Sequence, residues 1–292
     1  MELLQLLNAS SLWLLVTVGL VSLLIGSFLN VVINRLPVMM EREWKQECSE
    51  WLGHTDPSLS DSGTFNLVLP RSQCPNCGHA ITALENIPVL SYLFLGGKCR
   101  GCKTPISIQY PLIELATALL SMLLAWQYGF GIPTLVLLGF TWTLIALFMI
   151  DAKTMLLPDS LTLPLMWAGI LVSMQGLLGV TLPESVMGAM AGYLFLWLIY
   201  HAFRLLTGKE GMGHGDFKLL AAIGAWGGWQ ILPFVVFASS ALGAVFGIVW
   251  MLIRRQRESL PMPFGPWLAL AGFIAVIWRP QVVDFMGRLL FP

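Results

Sequence analysis

Charge is the scarcest thing in this sequence. Only 11% of the 292 residues are Asp, Glu, Lys or Arg, while 57% are apolar. An ordinary soluble domain holds about 25% and 45–50%. So little charge excludes a freestanding soluble enzyme and a disordered chain alike. The sixteen basic and sixteen acidic side chains cancel, so no bulk field draws nucleic acid or another polyanion. Histidine is nearly missing too, with His54, His79, His201 and His214 scattered singly. There is no HExxH, no Ser/His/Asp set and no Walker-type glycine loop, which removes metalloprotease, serine-hydrolase and P-loop chemistry. Repeats, heptads and low-complexity tracts are absent as well.

What is present is a series of long apolar runs. A bilayer core of ~30 Å takes about 20 apolar residues as helix. Windows near 11–34, 110–128, 133–151, 161–179, 185–205, 231–253 and 262–278 meet or approach that length. Residues 216–253 form one nearly uncharged block, too long for a single crossing. Gly227, Gly228 and Pro233 mark a break at about 228–232, giving eight helices. The run at 11–34 reads as a first span rather than a secretory signal peptide, because its positive flank, Arg35, follows it.

Loop charge supports that count. If alternate loops face one side, 35–109, 152–160, 204–218 and 254–260 together carry 14 Lys/Arg, against Arg279 and Arg288 opposite. By the positive-inside rule these loops are cytoplasmic and both termini lie outside. The fold class expected is an all-α polytopic membrane protein of about eight transmembrane helices, with a small zinc-stabilised cytoplasmic insert. Its divisions are 1–34, a first span; 35–109, the insert; and 110–292, a seven-helix membrane core. The insert holds scattered Pro, Gly, Ser and Cys, so it should be loop-rich and held by something other than a large core.

The cysteines supply that something. Cys74-Pro-Asn-Cys77 and Cys99-Arg-Gly-Cys102 are two CxxC pairs with 21 residues between them. Each pair sets two thiolates on one turn, and two such turns complete a tetrahedron around Zn²⁺. The separation slightly exceeds the usual zinc-ribbon range of about 15–20 residues. Disulfides are the plainer alternative, but a reducing cytoplasm opposes them, and redox catalysis would need only one pair. Cys48 stands outside the pattern as a free thiol.

Acidic residues at a membrane edge are functional suspects. Asp151 ends the third span, where a negative charge opposes the helix dipole and so serves no stability. Asp216 lies in Gly213-His214-Gly215-Asp216 at the mouth of the sixth span. Gly213 and Gly215 remove side chains beside the carboxylate, which lets a substrate backbone approach. Both aspartates fall on the cytoplasmic boundary and can meet as an acid–base pair sharing one proton, the aspartic-protease arrangement. Asp159, in Leu157-Pro158-Asp159, reads first as a helix N-cap. Glu114, three residues after Pro111, reads as a capping glutamate or a substrate contact. His214 reads as a loop histidine.

The chain closely resembles the bacterial type IV prepilin peptidases, bifunctional leader peptidase/N-methyltransferases, almost from end to end. The resemblance rests on Gly26-Ser-Phe-Leu-Asn30 with Arg35-Leu-Pro37, both CxxC pairs, and Asn86-Ile-Pro88 with Ser91-Tyr92. It continues through Gly97-Lys-Cys-Arg100, Tyr110-Pro111 with Glu114, Asp151 with Leu157-Pro-Asp159, and Gly213-His-Gly-Asp216. It implies cleavage of type IV prepilins and type II secretion pseudopilins after a glycine, at the cytoplasmic face of the inner membrane. It further implies methylation of the new N-terminal residue from S-adenosylmethionine. On this resemblance Asp151 and Asp216 are catalytic, Cys74, Cys77, Cys99 and Cys102 bind metal, and Gly97 belongs to the methyl transfer. No glycine-rich nucleotide loop points to that second activity, which rests on the resemblance alone. Alternatives are a peptidase without methyl transfer and a zinc-ribbon scaffold, which leaves Asp151 unexplained. A transporter would need charges at mid-membrane, and the spans have none there.

Overall fold

A computed structural model describes residues 10–53, 64–209, 211–254 and 262–290. The described residues are helical or irregular, with two isolated antiparallel bridges, Gln73 to Ala80 and Lys98 to Pro105. The helices are α1 Ser11–Trp51, α2 Leu90–Phe94, α3 Gln109–Tyr128, α4 Ile132–Thr154 and α5 Asp159–Met174. They continue with α6 Leu182–Thr207, α7 His214–Gly227, α8 Leu232–Arg254, α9 Gly265–Ile277 and α10 Arg279–Leu290. The chain divides into two compact units, Met1–Ala146 and Leu147–Pro292.

Every expected window falls on a helix, but not every helix is long enough to cross. Four helices, α1, α3, α4 and α6, and the stretch Trp229–Ile253 that holds α8 have the length and hydropathy of spans. The α9–α10 pair, bent by 99°, makes a sixth if taken together. Helices α5, α7 and α9 have 16, 14 and 13 residues, or about 24, 21 and 20 Å at ~1.5 Å per residue. The molecule is a multi-pass membrane protein; among the described residues five or six spans meet the length and hydropathy of a crossing. Helices α5, α7 and α9 are shorter than a ~30 Å core, so helix length alone does not reproduce the expected count of about eight. The block 216–253 does break where expected. Gly228 takes φ +80, and a 3-10 turn, Trp229–Ile231, leads into α8.

In the first unit α1 packs along α3. A Cβ on Gly26 would lie 2.7 Å from the Glu114 Cα, so a small residue sets the approach of the two backbones. One turn on, buried Asn30 donates from Nδ2 to the Tyr110 carbonyl at 3.1 Å. Helix α1 then runs on through Pro37 to Trp51, so the insert starts as helix rather than loop. Residues 39–51 are mostly strong helix formers, and Lys45 meets Glu41 one turn away at 2.7 Å. Arg35 reaches the carbonyls of Asn66 at 2.9 Å and Pro70 at 2.6 Å, which ties the irregular part of the insert to α1.

The second unit is built around α7, of whose 14 residues 11 are buried. Its neighbours come close through glycines: Gly188 of α6 meets Gly224 backbone to backbone, and Gly272 of α9 lies against Ile223. Trp226 fills the space at Gly169 of α5 and donates to the Leu165 carbonyl at 2.8 Å. Successive helices alternate in direction. At one end Leu157 touches Gly215 and Gly265, the starts of α7 and α9. At the other, Arg279 donates to the carbonyls of Gly227 at 2.8 Å and Gly179 at 3.2 Å, while Gln230 bonds Glu184 of α6 at 2.5 Å. Lys153, Lys209 and Lys218 belong to the first end. Arg279, basic and on the other side, is tied into structure. The basic residues Arg255 and Arg257 lie outside the described residues.

Candidate active site and metal centre

Both suspect aspartates reach that first end of the second unit, Asp151 in the last turn of α4 and Asp216 in the first turn of α7. They are 4% and 7% exposed, which is rare for carboxylates. Leu157 packs against both Gly215, beside Asp216, and Gly265, which contacts Asp151, so the two aspartates border one side chain. Asp151 accepts the Gly265 backbone N–H at 2.9 Å, one of the N–H groups that a helix start leaves without an intrahelical partner. The buried Oδ1 of Asp216 meets no hydrogen-bond donor among the described residues. A buried carboxylate oxygen left so is costly to the fold and is the open edge of the pair.

The glycines around the pair divide into two kinds. A Cβ on Gly215 would lie 2.6 Å from the Cβ of Leu157. Its missing side chain makes room for the loop after α4 rather than for a substrate, a correction to the sequence expectation. A Cβ on Gly213 would find only Asp216 Oδ2, at 3.8 Å; this is the open position. Gly213 is also the N-cap of α7, with Asp216 three residues inside, so Asp216 is not the cap. Gly265 was not legible as a site residue. A Cβ there would lie 2.7 Å from Asp151 Oδ2 and 3.2 Å from Leu157 Cδ1. Its only sequence signal is the Phe264-Gly265-Pro266 start of a helix, 114 residues from its partner.

Three other expectations change. Pro158 is the N-cap of α5, and Asp159 is the first helical residue without a capping bond. Its carboxylate instead takes Lys218 Nζ at 2.7 Å on both oxygens, linking α5 to α7 two residues beyond Asp216. With Asp159 half exposed, that pair contributes little stability. Glu114 sits in the second turn of α3 and caps nothing in its own helix; it accepts the N–H of Val89 at 2.8 Å. His214 is the first residue of α7 rather than a loop residue, its ring 5.1 Å from Tyr200 and 5.4 Å from Phe217.

In the first unit the four CxxC cysteines converge. Their sulfurs all lie within 4.8 Å of one another, with Cys74 to Cys102 at 3.8 Å and Cys77 to Cys99 at 4.0 Å. A tetrahedral Zn²⁺ with Zn–S of ~2.3 Å needs sulfurs about 3.8 Å apart, so the set fits a metal ion. The two turns match: each has a positive φ just after its second cysteine, at Gly78 (+68) and Lys103 (+61). The Cys74 N–H bonds the His79 carbonyl at 2.9 Å, and the Cys99 N–H bonds that of Thr104 at 2.8 Å. Thr104 draws the Cys102 thiol down to about 5, toward the thiolate that a metal binds. Beside the cluster, Gly97 (φ +67) has no room for a Cβ, which would lie 3.0 Å from the Tyr92 ring and hydroxyl.

These features define a multi-pass helical membrane protein with a four-cysteine cluster in one unit and a buried aspartate pair in the other. Comparison with known proteins agrees. Residues 20–128 match the bacterial peptidase A24 N-terminal domain, and residues 138–248 match the type IV leader peptidase family. The prepilin leader peptidase/N-methyltransferase of Aeromonas salmonicida (strain A449) is 57% identical over 265 residues, 91% of both chains. That of Pseudomonas aeruginosa PAO1 is 53% identical over 263 residues, 90% of both. That of Burkholderia pseudomallei is 49% identical over 265 residues, 91% of this chain and 85% of its own. No solved structure matches. The chain belongs to the type IV leader peptidase family.

Proposed function

We propose that this chain is a bifunctional enzyme. It removes the leader peptide from type IV prepilins and type II secretion pseudopilins, then methylates the new N-terminal amine. The observation that carries the first activity is the buried pair Asp151 and Asp216, with one oxygen of Asp216 unpartnered. The relatives' name, prepilin leader peptidase/N-methyltransferase, supports both activities.

In cleavage the pair shares one proton. The ionised carboxylate takes a proton from a water, whose oxygen attacks the scissile carbonyl, while the protonated partner donates to the carbonyl oxygen. Collapse breaks the C–N bond, and the proton first taken from water leaves with the new amine. Gly265 orients Asp151 through its N–H, Leu157 of the loop after α4 packs against both helix starts, and Gly213 leaves space beside Asp216 for a substrate backbone. The Asp159–Lys218 pair links α5 to α7 at the surface beside the site. Cys74, Cys77, Cys99 and Cys102 would hold Zn²⁺ as a structural staple, since the insert has few buried apolar residues of its own. S-adenosylmethionine would supply the methyl group.

The basic loops beside the aspartates support a reading in which this end faces the cytoplasm of a bacterial inner membrane and both termini face the periplasm. The decisive assay incubates the purified enzyme with a prepilin, with and without S-adenosylmethionine. Mass spectrometry should find a shortened product in both cases and a further methyl mass only with the donor. An uncut prepilin would refute the peptidase, and a cut but never methylated product would leave a peptidase alone.

A further inference from the structure

We propose that a cavity inside the Met1–Ala146 unit binds the methyl donor, with Glu114 and Tyr92 as its principal contacts; this rests on the reading that the chain methylates. The cavity measures about 370 Å³, and its lining includes Ser27, Glu85, Asn86, Tyr92, Tyr110 and Glu114. Small-molecule sites run from about 300 to 1,000 Å³, so the volume suits a nucleoside-sized ligand. Cys74 and Cys99 form another part of the wall, so the metal cluster and the cavity are built from the same turns.

Its two carboxylates differ. Glu85 is already satisfied, by the N–H and hydroxyl of Thr82 at 2.9 and 3.0 Å, by His79 at 3.3 Å and by Arg100 at 3.5 Å. Glu114, 7% exposed, is held by the N–H of Val89 and the Ser27 side chain, both neutral donors. Among the described residues no Lys, Arg or His pairs with it. A buried carboxylate without a cation is expensive, and it favours a ligand that brings positive charge. The chain spends backbone strain to place this contact. Val89, β-branched, sits at φ +62, and Leu90 N–H bonds the Pro88 carbonyl at 2.6 Å, a three-residue turn of the rare positive-φ kind.

The aromatic lining completes the match. Tyr92 follows that turn on α2, and its ring lies where a side chain at Gly97 would be. Tyr92 and Tyr110 offer ring surfaces for a purine or for a sulfonium, and Asn86 offers polar atoms for a ribose. S-adenosylmethionine combines a purine, a ribose and one net positive charge; its demethylated product, S-adenosylhomocysteine, is neutral overall. Gly97 then acts as a positioning residue, because any side chain there displaces Tyr92.

The test is equilibrium dialysis of the purified full chain in detergent against labelled S-adenosylmethionine and S-adenosylhomocysteine. Glu114→Gln keeps an oxygen for the Val89 N–H and removes only the charge. It should weaken S-adenosylmethionine about tenfold and S-adenosylhomocysteine much less, since only the former carries the net charge that Glu114 offsets. Tyr92→Ala should weaken both. Bound metal and protease resistance of the insert, measured on the same samples, exclude misfolding. Wild-type binding of both ligands by both variants would overturn the proposal and leave the methylation reading standing. Unchanged donor binding with lost methylation of pre-cleaved pilin would assign the cavity to the pilin's amine and overturn it too. A wild type that neither binds the donor nor methylates would overturn the methylation reading itself, and the proposal with it.

Discussion

In Leu147–Pro292 the acidic groups are positioned by helices that touch backbone to backbone at Gly188 and Gly224, and by the Leu157 side chain against Gly215. In Met1–Ala146 the polar cavity is positioned instead by two cysteine turns, one strained turn at Val89 and hydrogen bonds from Arg35 and Asn30. The contrast follows from where each site stands. A site among membrane helices has apolar packing available on every side and needs only small residues to bring backbones together. A site in an irregular insert has little core and needs a staple. Perturbations should therefore separate: loss of the staple should harm the first unit's site, and a methyl group added at a tight glycine should harm the second's.

The largest effect expected is on the aspartates. Asp151→Asn and Asp216→Asn should each lower cleavage on the order of 10³-fold or more, as removal of one member of a catalytic unit does. Volume is conserved, so bound metal and protease resistance should not change. Rapid cleavage by either variant would dissolve the pair. Next is Cys74→Ser, which should take bound zinc, measured by atomic emission, from one equivalent toward zero. It should also open the insert to protease, while the second unit stays resistant. A third way to sharpen the contrast is Gly265→Ala. Its Cβ would press on Asp151 Oδ2 and displace the carboxylate by a few tenths of an ångström, so kcat for cleavage should fall roughly 10- to 100-fold. Metal content should be untouched.

Smaller still is the effect of Gly97→Ala, which should impair methylation and leave the cleavage rate of intact prepilin as it is. The least is acid sensitivity at Glu85. The N–H of Thr82, with its hydroxyl and His79, holds this carboxyl at about 2, below its ordinary 4.5. A depressed native pKa gives stability that is present above about pH 4.5 and lost as the pH falls toward 2. Pepsin digestion across that window should show a wild-type loss of resistance in the insert that is smaller in Glu85→Gln. Equal pH dependence in the two would remove Glu85 from the account.

How much of this was legible in the sequence follows from the range of the forces involved. The cysteine cluster announces itself, because each CxxC is a local turn and metal chemistry restricts the residue types. Asp151 and Asp216 were visible as charges at the ends of apolar runs, and Gly215 as an unusual neighbour. The break at Gly228 was visible because glycine and proline punctuate locally. Gly265 was not, since a backbone N–H donor carries no residue identity and its partner is 114 positions away. Glu114 was singled out, but its bond to Val89 depends on how the insert folds back on α3, a tertiary contact with no spacing rule. The helical course of α1 to Trp51 was hidden by Pro37, which usually ends a helix, and the short lengths of α5, α7 and α9 by apolar flanks that extend each window.

The central claim is that cleavage and methyl transfer are run by different units. It is tested most directly by giving Asp151→Asn a pre-cleaved pilin and S-adenosylmethionine and weighing the product N-terminus. The account predicts a gain of one methyl mass at close to the wild-type rate, from an enzyme that no longer cuts intact prepilin. A product left unmethylated by this variant, with its metal content equal to the wild type's, would show that both activities depend on the aspartate pair and would contradict the division.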